Sequence, residues 1–214
     1  MTAAAGARVH CYCFGDSITY GDSDTERGGW VARLKTECLA RSACGELGAD
    51  VFNLGIGGET TRLMRARFSP ELEARLEGGA RSLVTLAYGA NDAAESDGSF
   101  LVPEKEYAEN LAWAIDEARR QGCEVWLLNV TPLAPAADGV RSLGSGRLRS
   151  NALVSRYNDL LRQLAHQKRA ELLDVHAAFM RHDLSSLFAP DGLHPNAEGH
   201  ALIANLVGKR LLRK

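Results

Sequence analysis

Short strand-like runs alternate with helix-like segments along this chain, and that alternation restricts its fold more than any other feature. Five runs favour strands, at residues 9–14, 51–54, 82–87, 124–130 and 171–175. The third and fourth runs are nearly unbroken apolar stretches, which is typical of strands covered on both faces of a sheet. Three further segments carry apolar residues at helical spacing, and these are Tyr107, Leu111, Ile115 and Ala118, then Leu153, Tyr157, Leu160, Leu161 and Leu164, then Ile203, Leu206, Val207 and Leu211.

This order of elements predicts an α/β fold with three layers, α/β/α, in which helices cover both faces of a parallel sheet joined by right-handed crossovers. At 214 residues the chain fits a single domain, 1–214, since neither an internal repeat nor a shift in composition marks a linker. Two stretches, 92–102 and 132–150, read as loops rich in small and polar residues. Because both leave the carboxyl ends of strands, we expect them to form the walls and lid of a pocket or to be solvated connectors.

Charge and apolar content exclude several classes of protein. Hydrophobic residues make up 45% of the chain and charged residues 24%, as in an ordinary globular protein, and the formal net charge is −2. Because such a chain has no basic field to hold a phosphate backbone, we expect no nucleic-acid partner. No apolar stretch approaches the length that spans a bilayer, so we expect no integral membrane segment.

The first residues and the cysteines together predict a cytoplasmic location. Arg8 and His10 interrupt the apolar run near the start, which disfavours a secretory signal, with a leader cleaved before residue 1 as the open alternative. The five cysteines are odd in number and lack the spacing of a disulfide framework, which suits a reducing compartment. Cys11 and Cys13 would point to the same face of a strand, either as buried thiols or as half of a metal site.

Two short motifs near opposite ends of the chain carry the groups of a nucleophilic enzyme. Gly15-Asp16-Ser17-Ile18-Thr19 directly follows the first predicted strand, and Asp191-Gly192-Leu193-His194-Pro195 precedes the last helical segment. A hydroxyl is a poor nucleophile until a base takes its proton, and an imidazole needs a third group to fix its tautomer. Ser17, His194 and Asp191 supply these three groups, so the sequence predicts a serine hydrolase.

Two further segments follow strands at the same predicted edge of the sheet. Residues 53–60 contain Gly55, Gly57 and Gly58 after the second strand, and residues 88–92 contain Asn91 after the third. Alone, the glycines indicate a tight turn, because they lack the third glycine of a nucleotide loop, and Asn91 indicates a turn or a helix cap. Together with the two motifs they offer the hydrogen-bond donors that acyl transfer needs for its oxyanion.

With these four segments the chain resembles the SGNH hydrolase superfamily, the GDSL-type esterases and lipases, from residue 9 to the last helix. The resemblance implies that Ser17 is the nucleophile, Asp191 the acid and His194 the base of a triad. It implies that the backbone N–H of Ser17, the backbone N–H of Gly58 and the side chain of Asn91 form the oxyanion hole, with Gly57 as the alternative to Gly58. The implied fold is flavodoxin-like, with five parallel strands in the order 2-1-3-4-5.

Two departures from the family pattern accompany this resemblance. Ile18 stands where the family name has leucine, which is a conservative change. Gly55 and Gly57 replace residues that are often alanine or serine in relatives. The second departure leaves the choice between Gly57 and Gly58 as the oxyanion donor open.

The implied function is hydrolysis of a small-molecule carboxylic ester through an acyl-enzyme on Ser17. Short acyl esters or thioesters are the expected substrates, and lysophospholipid-like substrates are compatible with the same residues. A carbohydrate acetylesterase of the same superfamily is the alternative, and a non-catalytic flavodoxin-like binding module is a third reading. We expect neither cofactor nor metal, and the sequence leaves the oligomeric state open.

The remaining ionisable residues are given structural interpretations. Asp16 is expected to turn its carboxylate to backbone donors at the serine turn, and Asp92 has a similar role. A zinc site built on His194 and His200 is a minor alternative, because no third ligand has suitable spacing. The other histidines, at positions 10, 166, 176 and 182, are interpreted as surface or core residues. Arginines in loop 132–150 either attract an acidic substrate group or stay solvated, and these are Arg141, Arg147 and Arg149.

Overall fold

The computed structural model describes residues 9–46, 48–142 and 145–212. It contains seven strands within these ranges, which are β1 Val9–Gly15, β2 Ala49–Gly55, β3 Arg81–Ala87, β4 Glu95–Ser96, β5 Ser99–Phe100, β6 Glu124–Leu128 and β7 Glu171–Leu173. Five of them form a parallel sheet in the order β2-β1-β3-β6-β7. The predicted order 2-1-3-4-5 is therefore confirmed once the short β4–β5 pair is set aside, and the strand ends differ from the predicted ones by at most two residues. The residues before position 9, which bear on the predicted absence of a leader, lie outside the described ranges.

Helices cover both faces of this sheet and produce the predicted three layers. The helices are α1 Ser17–Tyr20, α2 Trp30–Ala43, α3 Thr61–Glu73, α4 Glu104–Arg120, α5 Asn151–Lys168, α6 Val175–Phe179 and α7 Ala197–Leu211, with a short 3-10 helix at Leu184–Ser186. One apolar core lies between the sheet and α2, α6 and α7, and a second lies between the sheet and α3, α4 and α5. The three predicted apolar stripes are the buried faces of α4, α5 and α7.

The predicted loop 92–102 is wrong in one respect, because it contains a small antiparallel hairpin. β4 and β5 pair through Glu95 with Phe100 and through Ser96 with Ser99. The turn between them is Asp97-Gly98, and both residues have positive φ angles, 51° and 77°. An Asp-Gly pair is a strong signal for this type of two-residue hairpin turn, so the residues themselves favour a hairpin over an irregular loop.

The cysteines and the helix lengths bear on the expectations about metal and membrane. Cys11 and Cys13 lie on the same face of β1, fully buried, with their sulfur atoms 3.7 Å apart. The hydrogen bond with Cys13, together with burial, raises the pKa of the Cys11 thiol well above its usual value, which disfavours the thiolate that binds metals. Cys44 is exposed. Over the described ranges, no helix combines the length and apolar character that crossing a bilayer requires.

Candidate active site

Ser17, His194 and Asp191 form one hydrogen-bonded chain, although 177 residues separate the serine from the histidine. The Oγ of Ser17 lies 2.9 Å from the Nε2 of His194. The Nδ1 of the same ring lies 2.5 Å from the Oδ2 of Asp191. The carboxylate therefore fixes the tautomer with hydrogen on Nδ1, which leaves Nε2 as the acceptor for the serine proton.

The turn from β1 into α1 presents Ser17 at the carboxyl edge of the sheet. Asp16 caps the short helix, since its Oδ1 accepts a hydrogen bond of 3.0 Å from the N–H of Ile18. Gly15 allows this turn because a Cβ there would lie 2.1 Å from the Oγ1 of Thr19 and 2.8 Å from the carbonyl oxygen of Ala87. The predicted structural role of Asp16 agrees with this capping bond.

A tight loop before α7 positions Asp191 and His194 against Ser17. The Oδ1 of Asp191 accepts hydrogen bonds of 3.0 Å from the N–H groups of both Leu193 and His194, which fixes the carboxylate relative to the imidazole. Partial burial opposes ionisation of Asp191. The hydrogen bonds from the His194 ring and the two backbone N–H groups outweigh this effect and lower the pKa of Asp191. Its charge is thus available to stabilise an imidazolium.

The loop after β2 forms a turn beside Ser17. The N–H of Glu59 donates to the carbonyl of Ile56 at 3.1 Å, with Gly57 and Gly58 at the two central positions. Gly58 has a φ of +74° and Gly57 has no positive φ, which matches a type II turn. The hydrogen bond of the turn uses neither glycine N–H, and both glycines line the cleft next to Ser17.

Asn91 is held from both sides, by Glu59 and by Arg149. Its Nδ2 donates to the carbonyl oxygen of Glu59 at 3.1 Å, and its Oδ1 accepts from the Nη2 of Arg149 at 3.1 Å. Because guanidinium only donates, the bond to Arg149 identifies Oδ1 and prevents the amide from flipping. An amide NH₂ carries two hydrogens, so the bond to Glu59 uses one and the other can be donated to a ligand.

Arg149 is the functional residue whose role the sequence missed. It is 8% exposed, and it also donates to the carbonyl of Ala90 and to the Oγ of Ser142, each at 3.1 Å. The prediction of a solvated arginine is therefore wrong for Arg149. Nothing in its local sequence marks this role, because its partner Asn91 lies 58 residues away and the contact forms only in the folded chain.

A buried ion pair between Glu59 and Arg67 lies next to the Gly57–Gly58 turn. The Glu59 carboxylate is 4% exposed and pairs with both Nε and Nη2 of Arg67, while the hydroxyl of Tyr88 donates to it at 2.7 Å. Arg67 also donates to the carbonyl of Leu54 at 2.7 Å, at the end of β2. This network connects the Gly57–Gly58 turn to β2 and to the end of β3, and sequence reasoning did not find it.

Two buried aspartates lie near the serine without joining the triad. Burial, with the nearby charge of Asp92, raises the pKa of Asp16 to about 7 despite the capping bond from Ile18. Burial raises the pKa of Asp92 to about 6, against the hydrogen bonds that it accepts from the Thr61 hydroxyl and N–H. Asp92 thereby anchors the start of α3 to the loop after β3, which agrees with the predicted structural role.

His200 does not join His194 in a metal site. Its Nδ1 accepts from the N–H of Trp30 at 3.2 Å, and its Nε2 lies 3.0 Å from the carbonyl of Asp22, so both ring nitrogens are occupied. Burial lowers the pKa of His200, which agrees with a neutral ring between a donor and an acceptor. In the described part of the chain, no cluster of three or more metal-binding side chains occurs.

The triad opens into a cleft of about 640 Å³. Loop 132–150 supplies much of its wall, as predicted, whereas loop 92–102 does not line it and instead pairs with that wall through Glu95 and Leu148. Positions 143–144 of loop 132–150 lie outside the described residues. Its lining includes apolar residues, which are Leu133, Ala136, Ala137, Val140, Pro190 and Leu193, and polar residues, which are Asp22, Arg141, Ser142, Ser145 and Arg147.

The fold and this arrangement define the class as the SGNH hydrolase superfamily. Residues 13–202 match the model of the GDSL-like Lipase/Acylhydrolase family, so the chain belongs to that family and is an ester-hydrolysing enzyme. The chain is similar to an uncharacterized lipoprotein, YqeF, of Bacillus subtilis strain 168, with 26% identity over 88% of this chain and 86% of the relative.

Solved structures share the same fold. The acetylxylan esterase Axe2 from Geobacillus stearothermophilus has a TM-score of 0.73 and 23% identity, with 99% of this chain and 98% of that one covered. A member of the lipolytic protein G-D-S-L family from Veillonella parvula DSM 2008 has a TM-score of 0.72 and 20% identity, with 96% of this chain and 100% of that one covered. The predicted three-layer fold with a flavodoxin-like sheet is thereby confirmed.

Proposed function

We propose that this enzyme is a serine esterase that hydrolyses small carboxylic esters through an acyl-enzyme on Ser17. His194 takes the serine proton through Nε2 as Oγ attacks the carbonyl carbon, and Asp191 stabilises the imidazolium that results. His194 then gives the proton to the leaving alcohol. Water then attacks the acyl-enzyme with His194 as base, which releases the carboxylic acid and restores the serine.

The observation that carries this proposal is the unbroken chain from Ser17 Oγ to His194 Nε2 at 2.9 Å and from His194 Nδ1 to Asp191 Oδ2 at 2.5 Å. A plain binding module has no need of a hydroxyl aligned with a base and an acid at the floor of a cleft. This alignment is the reason for preferring an enzyme with a covalent intermediate to the non-catalytic alternative.

We assign three hydrogen-bond donors to the oxyanion of the reaction. Ser17 is the first residue of α1, so its N–H belongs to the first helical turn, which lacks intrahelical acceptors. The second donor is the N–H of Gly58, and the third is the amide of Asn91, whose orientation Arg149 and Glu59 fix. Donors held rigidly before the reaction stabilise the developing charge without a cost in reorganisation.

The apolar residues that line the cleft favour a short acyl chain as the first candidate substrate. Leu133, Ala137, Val140 and Leu193 offer small aliphatic surfaces beside the triad, and these suit a few methylene groups. An acetylated carbohydrate is the second candidate. It is favoured by polar residues of the cleft lining, such as Ser142 and Ser145, and by the likeness in fold to an acetylxylan esterase.

Steady-state hydrolysis of p-nitrophenyl esters with acyl chains of two to about twelve carbons tests both the chemistry and the acyl length. We expect Ser17→Ala to abolish turnover and Asn91→Ala to lower kcat by about 10²–10³, the usual effect of losing one oxyanion donor. Both variants should keep the wild-type melting temperature within a few degrees. Wild-type turnover by Ser17→Ala would overturn the proposal, and acetylated xylose oligomers in the same assay series distinguish the second candidate.

We also infer that the enzyme acts in a reducing compartment such as the cytoplasm. All five cysteines are free, and Cys11 and Cys13 stay hydrogen-bonded thiols in the core. The similarity to a lipoprotein makes a direct test worthwhile. Fractionation of the source cells with an antibody should find the protein in the soluble cytoplasmic fraction, and recovery with the membrane fraction would contradict this inference.

A further inference from the structure

Three arginines of one loop line the catalytic cleft. Arg141, Arg147 and Arg149 all come from the stretch between β6 and α5. Within the described ranges, none of the three forms an ion pair with a carboxylate. Arginines on the outer surface behave differently, since Arg81 and Arg120 each lie 2.7 Å from a glutamate.

The charge of the cleft is therefore opposite in sign to that of the whole chain. The chain carries a formal net charge of −2, whereas the three guanidiniums meet only two carboxylates, Asp22 and Asp191, in the described lining of the cleft. The charge of Asp191 is already engaged by the His194 ring and by backbone N–H groups. An excess of positive charge thus faces the position of a bound substrate.

Burial, and after it the charge of Arg147, lowers the pKa of Arg149, while the charges of Asp16 and Asp191 oppose this effect. The positive charges that line this part of the cleft favour an anion placed among them.

Among the contacts of the described residues, Arg141 and Arg147 keep most of their donors for a ligand. Three of the five N–H donors of Arg149 bind Asn91, Ala90 and Ser142, so we assign this residue to the oxyanion hole. Arg147 is half-buried at the cleft wall, and Arg141 is exposed with one Nη1 bond of 2.9 Å to the carbonyl of Gly146.

Backbone contacts hold the two segments that carry Arg141 and Arg147. Arg141 forms a bridge with Leu148, which in turn pairs with Glu95 of the β4–β5 hairpin. The N–H of Ser142 donates to the carbonyl of Arg147 at 2.9 Å. The two guanidiniums therefore extend from a backbone with fixed neighbours, which reduces the entropy lost when they bind an anion.

We propose that Arg141 and Arg147 form a subsite for an anionic group of the substrate, a carboxylate or a phosphate, so that the preferred substrates are acidic esters. This inference rests on the esterase function proposed above and adds its substrate class. Guanidinium pairs recognise both anions through charge-assisted hydrogen bonds.

Matched ester pairs test this proposal, because the carboxylate and amide members differ in charge and hardly in shape, and a phosphate member extends the comparison to the second anion. On the acyl side, the p-nitrophenyl half-ester of adipic acid is compared with the p-nitrophenyl ester of adipamic acid, which ends in a neutral amide. On the alcohol side, p-acetoxybenzoate and p-acetoxyphenyl phosphate are each compared with p-acetoxybenzamide. We expect the wild type to prefer at least one charged ester over its neutral partner by about tenfold in kcat/KM. The pair that shows this preference identifies whether the subsite binds the acyl or the alcohol part of the substrate, and which anion it binds.

The double variant Arg141→Gln/Arg147→Gln should reduce this preference to about twofold or less while its kcat/KM for the neutral esters stays near wild type. The control Arg120→Gln/Arg162→Gln removes the same charge from outer helices and should keep the preference. About 0.5 M salt should weaken the preference in the wild type. If the double variant folds poorly, the two single variants replace it, and each should lose part of the preference.

Two outcomes would overturn the subsite while leaving the esterase intact. One is hydrolysis of the neutral esters with no preference for a charged partner, and the other is a preference that persists in the double variant. The absence of hydrolysis of every ester in the series by the wild type would instead overturn the proposed function, and the subsite with it.

Discussion

Replacement of Arg149 by methionine is the perturbation whose effect the structure defines most closely. Methionine keeps an aliphatic stem of similar length and removes the guanidinium that donates to Asn91, Ala90 and Ser142, each at 3.1 Å. The amide of Asn91 then keeps its bond to Glu59 but loses the partner of its Oδ1. Arg149 is therefore a positioning residue in this account, one that acts on the reaction through Asn91.

The expected loss lies below that of removing Asn91 itself. A hydrogen bond from a charged donor contributes about 1.5–3 kcal/mol. If this energy holds the amide toward the oxyanion, kcat should fall by about 10- to 100-fold, compared with about 10²–10³ for a missing donor. KM should change by no more than about twofold, because the ground-state ester meets little of this interaction.

A double-mutant cycle on p-nitrophenyl acetate checks the reasoning. In the Asn91→Ala background, Arg149→Met should have little further effect on kcat, since its target is gone. Arg119→Met is a suitable control, because Arg119 also donates to backbone carbonyls, those of Lys168 and Arg169, but on the outside of the molecule. If Arg149→Met lowers kcat by the same factor in both backgrounds, or raises KM alone, Arg149 does not act through Asn91.

Three further predictions concern the turn, the buried aspartate and the buried ion pair. Gly57→Pro removes one candidate N–H and suits the second position of a type II turn, so esterase activity should persist if Gly58 is the oxyanion donor and fall by about 10²–10³ if Gly57 is. The raised pKa of Asp16, about 7, makes the wild type lose stability as pH rises from about 4 through 7. Asp16→Asn should therefore raise the free energy of unfolding at pH 8 by up to about 4 kcal/mol in urea titrations, and this gain should vanish near pH 4. Arg67→Met should destabilise the fold by about 3 kcal/mol in the same titrations, since it leaves Glu59 buried without its cation, and an unchanged midpoint would contradict this.

The layered fold could be predicted from local patterns, because apolar periodicity reports directly on which faces are buried. The apolar runs of β3 and β6 are covered on both sides, and the stripes of α4, α5 and α7 form the cores. The hairpin at β4 and β5 was missed because its strands are two residues long and carry no periodicity, although the Asp97-Gly98 turn signals it.

Local motifs also predict part of the candidate site, whereas the rest depends on contacts between residues that are distant in sequence. Ser17 and Asn91 lie in short motifs that follow β1 and β3, and the order of parallel strands brings those strand ends together. Asp191 and His194 lie in a short motif just before α7. The contacts that orient these groups come from side chains such as Arg149, which are distant in sequence and have no motif around them. Contacts of this kind depend on how the loops pack in the folded chain, and the spacing of residues in the sequence does not predict that packing.

The most direct test of the central claim is covalent labelling of the enzyme by a fluorophosphonate, followed by mass spectrometry of the intact protein and its peptides. An activated serine attacks phosphorus and expels fluoride, so we expect one adduct per chain, located on Ser17. Ser17→Ala should take up no label, and His194→Ala should react far more slowly although both remain folded. Persistent ester hydrolysis in the absence of an adduct, or an adduct on another residue that abolishes activity, would contradict the claim.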